Sequence, residues 1–164
     1  MNQFPAMEVP VIDEKLVRDA GWHHEIFLFR LPDPGISELI VCGVSLRQVV
    51  GILPAETFLP WPADPPRKLG VLSYGGADVP VLDLVACFGL GATDYRLARR
   101  LLLVRCARKG GAAAIPVLAD FGQITAFEDY EPVSHRLPVH PSVLRGAYHF
   151  GPRLLFIPDL DALI

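Results

Sequence analysis

The chain has 164 residues, 51% of them hydrophobic and 20% charged, with a formal net charge of −3. That apolar content excludes a disordered chain, and the length suffices for one domain or for two small units that together bury roughly 70% of the unfolded surface. The basic residues gather only at Arg96, Arg99, Arg100 and at Arg105, Arg108, Lys109, which leaves no footprint for nucleic acid.

Cys42, Cys87 and Cys106 are odd in number, lie in apolar runs and form no CxxC pair, so neither a disulfide framework nor a metal site is expected. Each reads as a small buried hydrophobe. No leader-like segment opens the chain and no apolar stretch reaches ~18 residues, so the sequence predicts a soluble cytoplasmic protein with no direct membrane insertion.

In chain order, residues 1–21 read as a flexible arm interrupted by Pro5 and Pro10, ahead of a single folded region over 22–164. Residues 26–31 form an apolar run suited to a strand buried on both faces. Pro32, Asp33, Pro34 and Gly35 then predict a reversal, and 38–44 the answering strand. Ser45 is a candidate N-cap for a brief turn leading into a strand over 49–53. Pro54, Pro60, Pro62, Pro65 and Pro66 make a stiff connector, with Trp61 placed to pin it.

The stretch 69–84, LGVLSYGGADVPVLDL, is a hairpin by composition: two apolar runs around Gly75 and Gly76, whose positive φ suits a tight turn. Pro80 in the returning run lacks a ladder donor, so it belongs on an edge or at a bulge rather than mid-sheet, and Val79 beside it is placed on the barrel edge. A short helix after Asp83, closed by Gly89 or Gly91, follows. Strands are expected over 100–106, 112–118 and 121–127, then a polar, proline-interrupted passage over 128–141.

The hairpin recurs 76 residues later as LRGAYHFGPRLLFIPDL. Gly70 falls on Gly146, Tyr74 on Phe150, Gly75 on Gly151, Asp83 on Asp159 and Leu84 on Leu160. Upstream, the run at 26–30 is echoed by the run at 101–105. Two related units therefore share the chain. Asp83 and Asp159 each stand where a strand gives way to a helical turn, which predicts a pair of N-caps. The fold class is all-β, with short helical turns: two five-stranded barrels, the first over about 38–99 and the second over about 26–31 plus 100–164.

The run G-V-L-x-x-x-G-x-x-x-P-V-L-D-L from Gly70 to Leu84, and R-G-A-x-x-x-x-x-x-L-L-x-x-x-D-L-D-x-L from Arg145 to Leu163, resemble the CheW-like adaptor family. The resemblance implies two packed SH3-like barrels, no catalytic residues, no cofactor and no metal. Its implied partners are the regulatory domain of a CheA-type histidine kinase and the helical cytoplasmic tip of a chemoreceptor, held in the groove between the barrels. Localisation would be cytoplasmic, with recruitment to receptor arrays.

Carried over by position, Val49 matches an apolar groove residue, Leu69 and Gly70 the entry of the groove strand, and Ser73, Tyr74, Gly75 and Gly76 the family's N-L-R-G turn. Gly75 stands where the family has arginine and Ser73 where it has asparagine, so this chain lacks the five-donor fork of that arginine. That departure suggests a specialised adaptor, for instance of a pilus-linked or other alternative chemosensory array. The competing reading is a small β-barrel hydrolase or ligand-binding module, with Cys42 or Ser73 as nucleophile beside Asp83 and one of His23, His24, His135 or His140. No GxSxG, HExxH or phosphate-binding glycine motif supports it.

Overall fold

The computed structural model of the chain describes residues 25–55, 59–60, 68–94, 96–106, 110–118, 123–126, 130–139 and 141–164. The predicted arm, Trp61 with most of the proline connector, His23, His24 and His140 lie outside them.

The first element among the described residues, β1 (Glu25–Phe29), is followed by a helix, α1 (Pro34–Leu39), where the sequence suggested a turn and an early strand. Asp33 is the reason: its carboxylate accepts the Ile36 N–H at 3.0 Å, and Pro34 sits in the first turn with its φ already helical. The strand β2 (Ile40–Ser45) therefore begins later than expected. A 3-10 turn (Leu46–Gln48) follows, without a side-chain cap from Ser45, and leads to β3 (Val49–Pro54).

A two-residue strand, β4 (Leu59–Pro60), precedes the first hairpin, β5 (Lys68–Tyr74) and β6 (Ala77–Leu82), which feeds the helical turn α2 (Leu84–Cys87). Then come β7 (Arg100–Arg105), β8 (Ala112–Val117) and β9 (Gln123–Ala126). The second hairpin, β10 (Leu144–Phe150) and β11 (Arg153–Pro158), ends in the helical turn α3 (Leu160–Leu163).

The two hairpins repeat each other in detail. Each carries an irregularity at the same relative place, between Lys68 and Gly70 and between Leu144 and Gly146. Gly75 and Gly76 have φ of 60° and 79°, the pattern of a type I′ turn. Gly151, at φ 58°, is followed by Pro152, whose ring fixes a negative φ and so gives the II′ pattern. Both helical turns are capped as predicted: Ala86 N–H donates to Asp83 at 3.0 Å and Ala162 N–H to Asp159 at 3.3 Å.

The strands form two sheets, ordered β10-β11-β2-β1-β9 and β3-β7-β8-β6-β5-β4. The two β units are thus present, but not with the expected division of the chain. β2 pairs with β1 and β11 in the second hairpin's sheet, whereas β7 and β8 join the first hairpin. Each unit therefore takes its leading apolar strand from one repeat and its hairpin from the other.

Three apolar clusters explain the arrangement. Ile26, Leu28, Val41, Tyr148, Leu155 and Ile157 fill one unit, and Leu72, Val79, Val81, Leu101, Leu103 and Ala114 fill the other. Between them lies a larger shared core that includes Phe27, Phe29, Cys42, Leu102, Val104, Ile115 and Phe156. The leading strands alternate between the two kinds of core. Ile26 and Leu28 turn into their own unit while Phe27 and Phe29 enter the shared core, and Leu101 and Leu103 alternate with Leu102 and Val104 in the same way. A strand with apolar side chains on both faces needs burial on both, which packing of the two units supplies.

Candidate protein-docking interface

The seven residues singled out from the sequence do not form one surface. Ser73, Tyr74 and Gly75 are exposed at the tip of the first hairpin, with Tyr74 at 43%. A Cβ added at Gly75 would meet nothing within 4 Å, so the tip stands clear of the body. Gly70 is buried, and Leu69, half-buried, packs against the core of its own unit.

Val79 is a correction. Its side chain is only 5% exposed and belongs to that unit's core, so it offers no contact surface even though β6 is unpaired on its β8 side at this position. Pro80 is accommodated because the pairing of β6 with β8 is confined to Val81↔Ala114, beyond the proline. The edge that Pro80 suggested ends before the strand enters the sheet's interior.

Val49 differs from Leu69 in facing the shared core, and it does so at the rim. It is half-buried there together with Leu46 of the preceding 3-10 turn. Leu46 was not singled out from the sequence, since one apolar residue in a polar turn carries no period to read. Beside it, Gln48 Nε2 donates to the Arg105 carbonyl at 3.2 Å, and the Arg105 guanidinium donates through Nε and one terminal nitrogen to the Arg47 carbonyl at 3.2 and 3.0 Å. These bonds tie the turn to β7 and hold the rim in place.

The other feature missed is the edge position of β3, a strand expected over 49–53 that is the outermost of its sheet among the described residues. Exposure alternates along it, and Val50 and Ile52 stand 43% and 46% exposed. The alternation is hidden in the sequence because VVGILP is apolar on both phases.

The competing nucleophiles are far from equivalent. Cys42 is fully buried in the shared core, and burial pushes its thiol well above the ordinary range, which keeps it protonated and unreactive. Ser73 lies exposed on the hairpin of the other sheet. Asp83 has its carboxylate occupied by Ala86 N–H, Thr93 N–H and the Thr93 hydroxyl, the last at 2.7 Å. Among the described residues, neither Cys42 nor Ser73 hydrogen-bonds to a histidine, and no three His, Cys, Asp or Glu side chains gather as metal ligands.

A family model described as the CheW-like domain matches residues 26–164, nearly the whole of the two-unit body. The chain belongs to the CheW-like domain family. A probable chemotaxis protein CheW of Rhizobium etli is 26% identical to it over 140 residues, covering 85% of this chain and 86% of that protein. The crystal structure of the scaffolding protein TtCheW from Thermoanaerobacter tengcongensis superposes with a TM-score of 0.67 at 20% identity, over 85% of this chain and 86% of that one. The structural likeness shows a common fold. Among the described residues, no helix of this CheW-like chain is long and apolar enough to cross a membrane.

Proposed function

We propose that this CheW-like chain is a non-enzymatic adaptor that couples chemoreceptors to a CheA-type histidine kinase in the cytoplasm, at membrane-bound receptor arrays. The observation that carries the reading is the family match over 26–164 on a body whose shared core opens at a half-buried apolar rim. That rim, Leu46 and Val49, suits the apolar side of a receptor's helical tip lying between the two units. Ser73, Tyr74 and Gly75 on the hairpin tip would meet the partner at its margin, with Leu69 and Gly70 supporting the hairpin from within. The kinase's regulatory domain, of like fold, would dock on an exposed part of the β units. Neither partner requires a cofactor or metal.

Gly75 in place of the family's arginine makes this a specialised adaptor, which holds its partner without that guanidinium. Calorimetry of the full chain with a receptor-tip fragment and with the regulatory domain of a CheA-type kinase from the same genome tests the proposal. Both should bind, and Leu46→Arg should abolish the receptor contact while leaving the kinase contact intact. Failure of both fragments to bind the native chain would remove the function and leave the fold.

A further inference from the structure

The outer side of β3 has no strand beside it among the described residues. An antiparallel edge strand presents backbone N–H and C=O groups outward, and proteins commonly blunt such an edge with a charge within the strand or a covering segment. Here the exposed positions are Val50, Ile52 and the terminal Pro54, and the one irregularity in the pairing with β7 lies between Val49 and Gly51, so no charge interrupts the strand itself. The charges stand at its two ends instead. At the Val49 end are Arg47 and Arg105, and at the other end, where Pro54 pairs with Arg100, are Arg100 and Arg99.

All four arginines are exposed, and among the described residues none has a carboxylate partner. Among the described residues, three of them donate from their side chains to carbonyl oxygens alone: Arg105 to Arg47, Arg100 to Arg99 at 2.9 Å, and Arg99 to Arg96 at 3.4 Å. In a chain whose net charge is −3, four uncompensated cations bracketing one apolar strand edge are a complementary surface waiting for acid. Arg96, by contrast, is paired with Asp94 at 3.1 Å.

We propose that the outer edge of β3 is a strand-addition site for an extended acidic segment of a partner protein. Main-chain ladder bonds supply the attachment, apolar side chains of the segment cover Val50 and Ile52, and carboxylates near its two ends meet Arg47 with Arg105 and Arg99 with Arg100. Five steps of about 3.3 Å separate Val49 from Pro54, so a segment of about six residues spans the site. A second copy of this chain fits poorly: pairing β3 with β3 in either direction sets arginine against arginine. A nucleic-acid strand has no backbone donors for the carbonyls of the edge. The inference stands apart from the receptor and kinase reading and does not depend on it.

The test uses the full, uniformly 15N-labelled chain and an acetylated, amidated peptide of sequence Glu-Asp-Val-Thr-Val-Thr-Asp-Glu. Titration should shift the amide resonances of β3 and slow their hydrogen exchange. A peptide with its four acids replaced by glutamine and asparagine should bind roughly tenfold more weakly, and the R99Q/R100Q variant should lose a similar factor for the acidic peptide. Among the described residues those two side chains bond only to exposed carbonyls, and an unchanged melting temperature would confirm that the variant folds. Equal binding of the neutral peptide overturns the proposal, as do shifts confined to other elements. So do self-association through β3 in sedimentation, and full displacement from β3 by a short single-stranded DNA of equal charge.

Discussion

Asp83 and Asp159 occupy matching places in the two repeats, yet their removal should cost very different amounts. Asp83 is 4% exposed and accepts four contacts: the Ala86 N–H at 3.0 Å, the Thr93 N–H at 3.0 and 3.1 Å to its two oxygens, and the Thr93 hydroxyl at 2.7 Å. Thr93 is itself only 8% exposed. Asp83→Ala therefore removes an N-cap, worth about 1 kcal/mol, and strands two buried donors at about 1–3 kcal/mol each, of which the hydroxyl can partly relax by rotating. The sum is about 3–5 kcal/mol.

Asp159 has 31% of its side chain exposed, caps at 3.3 Å and lies 4.0 Å from the Arg145 guanidinium. Its replacement by alanine removes a longer cap and a weak ion pair, about 1 kcal/mol in all. Urea unfolding of both variants beside the native chain, at a common m-value, measures the difference. Adding Thr93→Val to Asp83→Ala should cost less than the two separately, with a coupling of about 1 kcal/mol. Costs for Asp83→Ala and Asp159→Ala within about 0.5 kcal/mol of each other would show that Thr93 is not held by Asp83 in the way its geometry suggests.

Three further outcomes follow from burial and backbone conformation. Val79→Asp places a charge in a closed core at 5% exposure and should cost more than about 4 kcal/mol or prevent folding, whereas Tyr74→Ala at the exposed tip should change stability by less than about 0.5 kcal/mol; urea midpoints separate the two. Gly75→Arg should fold, because open space surrounds the site, with a loss of about 1–2 kcal/mol from a side chain at φ 60°; calorimetry should show tighter binding of the receptor tip, and unchanged binding would exclude the hairpin tip from the interface. Cys42 should resist iodoacetamide in the folded chain and react on unfolding. Since its folded-state pKa is raised, its contribution to stability is complete below the ordinary thiol range, about 8.5, and declines as pH rises above it, an effect that Cys42→Ala should remove from the alkaline limb of a stability–pH curve.

What could be read from the chain was whatever rests on local backbone chemistry. The paired turns are legible because Gly75, Gly76 and Gly151 have positive φ, and the caps because an aspartate at the start of a helical turn has donors within reach. Asp33 carried the same signal for α1, but among two prolines and a glycine it reads equally well as a reversal. Which strand joins which sheet has no local signature. Residues 26–29 and 101–104 are apolar on both phases, so the pattern states that both faces are covered and is silent on what covers them.

The same property explains why the docking surface was only partly legible. Val49, Leu69 and Val79 are similar apolar residues on strands of one sheet, yet Val49 reaches the rim of the shared core while Leu69 and Val79 face the interior of their own unit. Sequence alternation distinguishes two faces of a sheet when one of them is wet. In β1, β2, β7 and β8 both faces are dry over most of their length, one against the unit's own interior and the other against the neighbouring unit, and exposure returns in strands that reach the margin. β3 is such a margin: Ile52 lies opposite Leu102, which is wholly buried in the shared core, yet Ile52 remains 46% exposed. A partner laid along β3 would therefore extend an apolar surface that the fold has already built, and the arginines at either end would decide which partner it accepts.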